Sequence, residues 1–157
     1  MLDRTGDDFL AHEAPFVLAV SGGIDSMLLL YFFGMLHRAG RLRSAPVVFH
    51  LDHGLRPDAH LDAELVRAES ESFSLPFYGL KRNCAGIAER IHRGVEETGR
   101  RLRYRHLRRL IRQTKGGTAV TAHHADDYAE SLLLHLIRGG GAASFATLDR
   151  HSILEGV

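Results

Sequence analysis

Four short apolar runs alternate with longer segments of helical period along the chain. The first, Phe16 to Val20, is continuous and rich in strand formers, which predicts a strand buried on both faces. Ser21-Gly22-Gly23 turns the chain, and from Asp25 to His37 the apolar pattern is long enough for a helix of about four turns. Pro46 to Asp52 reads as a second buried strand, and His53 to Asp58 as a loop broken by Gly and Pro. Ala59 to Phe73 is amphipathic, with Leu61, Leu65, Val66 and Ala68 expected on one side. Pro76 to Leu80 is a third, weaker strand, and residues 84–93 suit a short helix. Val95 to Arg112 is a long basic helix stopped at Gly116-Gly117. Thr118 to His123 is a fourth strand, and Ala125 to Ile137, apolar nearly all round, is a buried helix broken by Arg138-Gly-Gly-Gly141. Strand and helix alternate four times. That pattern predicts an α/β fold: a doubly wound, mostly parallel sheet with helices on both faces. Residues 1–14 form a polar lead-in, and residues 15–157 form the domain.

Composition narrows the class. At 157 residues, 45% hydrophobic and 25% charged, the chain suits one soluble domain with a real core. No apolar run reaches the ~20 residues of a membrane span. The acidic, polar start, Met1 to Asp8, does not resemble a signal peptide, so a cytoplasmic address and no membrane partner are expected. Cys84 is the single cysteine, which excludes an internal disulfide and any paired-cysteine metal or redox site. The net charge of +1 hides an uneven spread: residues 81–115 hold 12 of the 20 Lys and Arg but three of the 19 Asp and Glu. Such a segment suits either a polyanion partner or a solvated helix face.

The first strand, glycine turn and helix start form a site for phosphate. Adjacent glycines let backbone N–H groups approach an anion, and the helix N-terminus adds a partial positive charge. In a doubly wound sheet, ligands bind beyond the carboxyl ends of the strands. Four segments should therefore converge there: Ser21 to Ser26, Asp52-His-Gly54, the stretch after Leu80, and His123 to Asp127. His50 and His53 have a spacing that could ligate metal, but three steps along a strand put them on opposite faces. Asp126 and Asp127 open a helix, where they complement its dipole or hold Mg²⁺. On the basic helix, Arg101, Arg105, Arg108, Arg109 and Arg112 share the polar arc. Arg100 and Arg103 fall inside the apolar one, where each needs an ion pair (Asp52 is a candidate) or a phosphate or carboxylate ligand.

The loop Ser21-Gly-Gly-Ile-Asp-Ser26 is neither a Walker loop nor a dinucleotide fingerprint. It resembles the loop of the PP-loop ATP pyrophosphatases, which split ATP between the α and β phosphates. Further strings extend that likeness: His50-Leu-Asp-His-Gly-Leu-Arg56, Glu96-x-x-Gly-Arg-x-x-Arg-Tyr104, Thr121-Ala-His-His-Ala-Asp-Asp127 with Glu130-Ser131, and Arg138-Gly-Gly-Gly141. Together they resemble the N-terminal domain of the tRNA(Ile)-lysidine synthetase family over residues 17–141. Gly99 departs from that family's usual Ala, Ser131 from its usual Thr, and the family continues into tRNA-binding domains beyond the length found here.

The resemblance implies a reaction and a site. ATP adenylates the C2 oxygen of the wobble cytidine in an isoleucine tRNA with a CAU anticodon, and free L-lysine then displaces AMP. Asp25, Arg103, His123 and Asp127 are the implied catalytic residues. Ser21, Gly22, Gly23, Ile24, Asp25, Ser26, His50, Asp52 and Arg100 are expected to meet ATP. Asp25 and Asp126 are expected to meet Mg²⁺, and Arg101, Arg105, Arg108, Arg109 and Arg112 tRNA. A homodimer stays open. The alternatives are another PP-loop tRNA-modifying enzyme of thiolase type, against which the single cysteine counts, and a non-catalytic ATP-binding module.

Overall fold

The structure is a computed structural model, and it describes residues 13–114 and 117–122. Its elements in chain order are β1 Phe16–Ala19, α1 Ile24–Arg38, β2 Val47–Asp52, α2 Ala59–Ser72, β3 Phe77–Lys81, α3 Cys84–Arg90, α4 Val95–Gln113 and β4 Thr118–Thr121. Each lies within a residue or two of its sequence expectation except α3, which ends three residues earlier, at Arg90. The helix expected over Ala125 to Ile137 and the break at Arg138 to Gly141 lie outside the described residues.

The four strands form one sheet in the order β3-β2-β1-β4, and every pairing is parallel. Alternate residues of each strand feed different cores, as the two-residue period of a strand requires. Phe16, Leu18 and Val20 pack with Leu30 and Phe33 of α1 and Val66 of α2. Val17, Val47, Phe49 and Leu51 pack with Cys84 of α3 and Leu102, Leu107 and Leu110 of α4. Helices therefore cover both faces, and the doubly wound expectation holds. Val17, Leu18, Leu30, Val48 and Leu107 have no exposed surface, and burying each such side chain stabilises the fold by about 1.5–3 kcal/mol.

Two helices turn differently from their sequence pattern. In α2, Leu61 and Leu65 are 55% and 46% exposed, while Val66 and Ser70 are buried. The inward line of α2 tolerates polar residues because they are satisfied locally. Ser70 Oγ donates to the Val66 carbonyl, and Asp62 pairs with Arg56. In α4, Arg100 was expected to point inward, but it is exposed, with its guanidinium over the Tyr104 ring at 5.6 Å. The neighbouring Thr98 and Gly99 are buried, so the helix is already packed there, and it is the long Arg100 side chain that runs outward over Tyr104. Arg108 departs the other way: it is half-buried, and its Nε is shielded with no hydrogen-bond partner among the described residues. Arg101, Arg105, Arg109 and Arg112 are exposed as expected.

Candidate active site

Because the sheet is parallel, the segments after β1, β2 and β3 leave from one edge. The first is the Ser21–Ser26 loop. Val20 donates its N–H to the Phe49 carbonyl, which holds the root of the loop against β2. Gly22 has φ +95°, and a Cβ there would lie 2.9 Å from the Asp62 Cβ. Glycine is thus required twice, for the backbone angle and for the approach of α2. Ser26 is 6% exposed and ties the turn together from inside: its Oγ donates to the Gly23 carbonyl (2.8 Å) and lies 3.1 Å from Ser21 Oγ. The Ser21 N–H donates to the same Ser26 oxygen.

Gly23 occupies the N-cap of α1, and no side chain caps that helix. Glycine at the N-cap leaves the first N–H groups of the helix uncovered by any side chain of its own. Ser21, Gly23, Ile24 and Asp25 are all exposed around the helix start, with Asp25 in its first turn. This open backbone cradle at a helix N-terminus fits the phosphates of a nucleotide.

The second segment follows β2. His50 is 3% exposed, and its Nδ1 lies 2.9 Å from the Val20 carbonyl. A carbonyl only accepts, so Nδ1 carries a proton, and Nε2 is buried with no hydrogen-bond partner among the described residues. Asp52 is also buried. It accepts the Gly54 N–H at 2.7 Å and lies 3.6 Å from Lys81 Nζ, so the ion pair suggested between Asp52 and Arg103 is replaced by one to Lys81. His50 and Asp52 thus brace the strand ends from within. Arg56, from the same loop, pairs with Asp62 beside Gly22.

Arg103 is half-buried on α4, and its Nη2 lies 3.5 Å from His53 Nε2. His53 Nδ1 in turn lies 3.4 Å from Cys84 Sγ. Burial first, and then the Arg103 charge, push the His53 imidazole below its ordinary range, while burial raises the Cys84 thiol. His50 faces the sheet side of α1 and α2, and His53 the side of α3 and α4, so the spacing makes no shared metal site. No group of three or more metal-ligating side chains occurs among the described residues.

Along α4, Arg105 and Arg109 stand out from the fold. His106 between them stacks on Phe49 at 6.3 Å between centroids. Burial lowers its basicity first, followed by the charges of Arg82, Arg109 and Arg105. The charges of three arginines thus act on one imidazole, and the influence of Arg82 is one that the periodicity of α4 alone does not reveal. His123, Asp126 and Asp127 lie outside the described residues. Sequence reasoning missed two features. One is the brace from Arg56 to Asp62; the other is the corner around His53. Both involve residues of the quoted motifs, but nothing in the spacing showed their partners.

A doubly wound sheet with a glycine phosphate loop between its central strand and first helix defines an α/β nucleotide-binding protein. A family model described as the PP-loop domain matches residues 3–157, and the chain belongs to that family. Similar curated proteins include the tRNA(Ile)-lysidine synthase of Thermus thermophilus, 42% identical over 135 residues, covering 86% of this chain and 25% of that protein. The tRNA(Ile)-lysidine synthase of Leptospira interrogans is 38% identical over 139 residues, covering 88% of this chain and 32% of that protein. The chain thus spans about a quarter to a third of the length of these relatives. Among solved structures, the U34-tRNA thiolase NcsA from Methanococcus maripaludis, solved with its 4Fe-4S cluster, matches with a TM-score of 0.74 at 17% identity. That match covers 99% of this chain and 52% of that one, a likeness of fold. No helix among the described residues is long and apolar enough to cross a membrane.

Proposed function

We propose that this chain is the ATP-using part of a lysidine-forming enzyme. It adenylates the C2 oxygen of the wobble cytidine in an isoleucine tRNA with a CAU anticodon, for later attack by the ε-amine of L-lysine. The single observation carrying this reading is the exposed Ser21–Ser26 glycine turn at the start of α1, in a chain 42% identical to a tRNA(Ile)-lysidine synthase over 135 residues.

The first step forms a bond from the cytidine oxygen to the α-phosphorus and breaks the bond to pyrophosphate. The loop N–H groups hold the phosphates through hydrogen bonds to anionic oxygen. Asp25, exposed at the helix start, would share a Mg²⁺ ion with them, and that ion would offset phosphate charge. Arg103 would neutralise charge developing on the phosphoryl oxygens. In the second step the lysine nitrogen bonds to C2 and AMP leaves. That amine is protonated at neutral pH, so a carboxylate, Asp25 or Asp127, must take a proton. His123 and Asp126 complete the set implied by the motif. Arg101, Arg105, Arg109 and Arg112 offer an exposed basic face for the tRNA backbone.

The test incubates the chain with ATP, Mg²⁺, labelled lysine and transcripts of the isoleucine and methionine tRNAs. ATP binding is expected, with weak and nearly equal affinity for the two tRNAs and little lysidine. Phosphate contacts carry no sequence information, and the matched relatives are about three times as long as this chain. Failure to bind ATP would overturn the reading. Strong preference for the isoleucine tRNA with full turnover would show that these 157 residues suffice for the whole reaction.

A further inference from the structure

His53, the first residue after β2, is held on both sides by backbone. Its carbonyl accepts the Cys84 N–H at 3.0 Å, and the following Gly54 N–H is bound by Asp52. Its ring lies between α3 and α4, with Cys84 Sγ 3.4 Å from Nδ1 and Arg103 Nη2 3.5 Å from Nε2. The ring lies so close to α4 that a Cβ on residue 99 would be 2.6 Å from Nδ1 and 2.8 Å from Cε1. Gly99 is buried, so the imidazole occupies the space that a side chain there would fill.

A guanidinium has only donors. The nitrogen facing Arg103 must therefore be the acceptor, which puts the proton on Nδ1, pointing at the Cys84 sulfur. A doubly protonated ring would offer Arg103 no lone pair and would set two cations side by side. We propose that neutral His53, in its Nδ1–H tautomer, is a positioning residue that aims Arg103, and that Gly99 is the residue that admits its ring.

The surroundings keep the ring neutral. Arg103 and His50 oppose protonation, the buried Asp52 favours it, and burial outweighs that carboxylate. Cys84 presents a thiol whose ionisation burial suppresses, and Lys81 is paired to Asp52. The consequence for ligand binding rests on the reading above that Arg103 acts on the phosphoryl oxygens of ATP, extended to the bound ground state.

The experiment combines long-range proton–nitrogen NMR of the histidine rings with Mg–ATP titrations of the full chain from about pH 5 to pH 8, the range of histidine switching. The expected spectrum shows His53 as the Nδ1–H tautomer, titrating below an ordinary histidine, with its pKa rising in Arg103→Ala. An Nε2–H tautomer, or a pKa indifferent to Arg103, would overturn the proposal. ATP affinity should fall on the acid side in the wild type. His53→Leu should lose about ten- to a hundredfold at every pH, the weight of a hydrogen bond to a charged group. His53→Gln, which restores an acceptor, should recover most of that loss and lack the acid limb. Gly99→Ala should displace the His53 ring and weaken ATP, at some cost in melting temperature, because its Cβ would lie 2.6 Å from Nδ1 in a buried site. If Arg103→Ala weakens ATP and His53→Leu does not, His53 has no positioning role. If neither weakens ATP while the tautomer is as expected, the contact stands and the assignment of Arg103 to the phosphates fails.

Discussion

The loop at Ser21–Ser26 and the corner around His53 sit at the ends of adjacent parallel strands, yet they are built by different means. The loop is local. Six consecutive residues hold it through Ser21–Ser26 and Ser26–Gly23 hydrogen bonds, and the groups proposed to meet phosphate are backbone. The corner is assembled from His53, Cys84, Gly99 and Arg103, drawn from three elements. A local device tolerates change elsewhere in the fold and fails when its own backbone is altered. An assembled device fails when any neighbour shifts, because a guanidinium aimed by an imidazole has no backbone to fall back on.

The sharpest way to break this comparison is at Asp25. Asp25→Asn keeps the size of the side chain but cannot take a proton or hold Mg²⁺ well. Tested in a protein that forms lysidine, it should lower product formation by about 10²- to 10⁴-fold, the usual weight of a general acid–base group. ATP affinity should stay within about tenfold. Near-normal turnover would remove Asp25 from the chemistry.

Gly22→Val comes next, since it attacks backbone rather than side chain. At φ +95°, with Asp62 2.9 Å from the new Cβ, the variant carries about 1–3 kcal/mol of strain. The loop is expected to relieve it by opening, with ATP affinity falling about a hundredfold. Calorimetric titration checks this. Unchanged affinity would mean that the loop's shape is not what holds the phosphates.

Arg103→Ala and Arg105→Ala set the corner against the exposed face. Arg103 is half-buried beside His53, whereas Arg105 is exposed. Loss at Arg103 should cost about ten- to a hundredfold in the ATP-dependent step, and loss at Arg105 less than about threefold. If Arg103→Ala lowers only stability, with activity per folded molecule intact, the arginine is a packing residue.

The smallest effect concerns the basic face. Arg101, Arg105, Arg109 and Arg112 are exposed while Arg108 is half-buried. Four phosphate contacts predict that log K for tRNA falls with log salt at a slope of roughly −3 to −4. His106 supplies an internal probe. Arg82, Arg109 and Arg105 help hold its pKa below the ordinary value, so a polyanion covering them should raise it. A pKa raised on binding means proton uptake, and so tighter binding as pH falls through that range. NMR titration of His106 with and without tRNA reads the shift, and no change would place the RNA on another face.

The order of strands and helices was legible because strands buried on both faces read as unbroken apolar runs and α4 as a long periodic one. The buried side of α2 was not. Hydrophobicity pointed to Leu61 and Leu65, whereas Ser70 and Asp62 turn inward with their hydrogen bonds satisfied by Val66 and Arg56. Arg103 was correctly drawn toward the interior. Arg100, at the same motif, was not: its side chain runs outward over Tyr104 although its neighbours Thr98 and Gly99 are buried.

What the sequence by itself determined is whatever depends on neighbours along the chain: the strand, the glycine turn, the helix start and the chemistry they offer to phosphate. A six-residue hydrogen-bonded turn needs no distant partner. Only the tertiary structure decided that Asp52 pairs with Lys81, that Asp62 closes over Gly22, and that the missing side chain at Gly99 makes room for the ring of His53. Those contacts join residues far apart in the chain, and composition and periodicity hold no record of which side chains a particular packing of helix on sheet brings within reach.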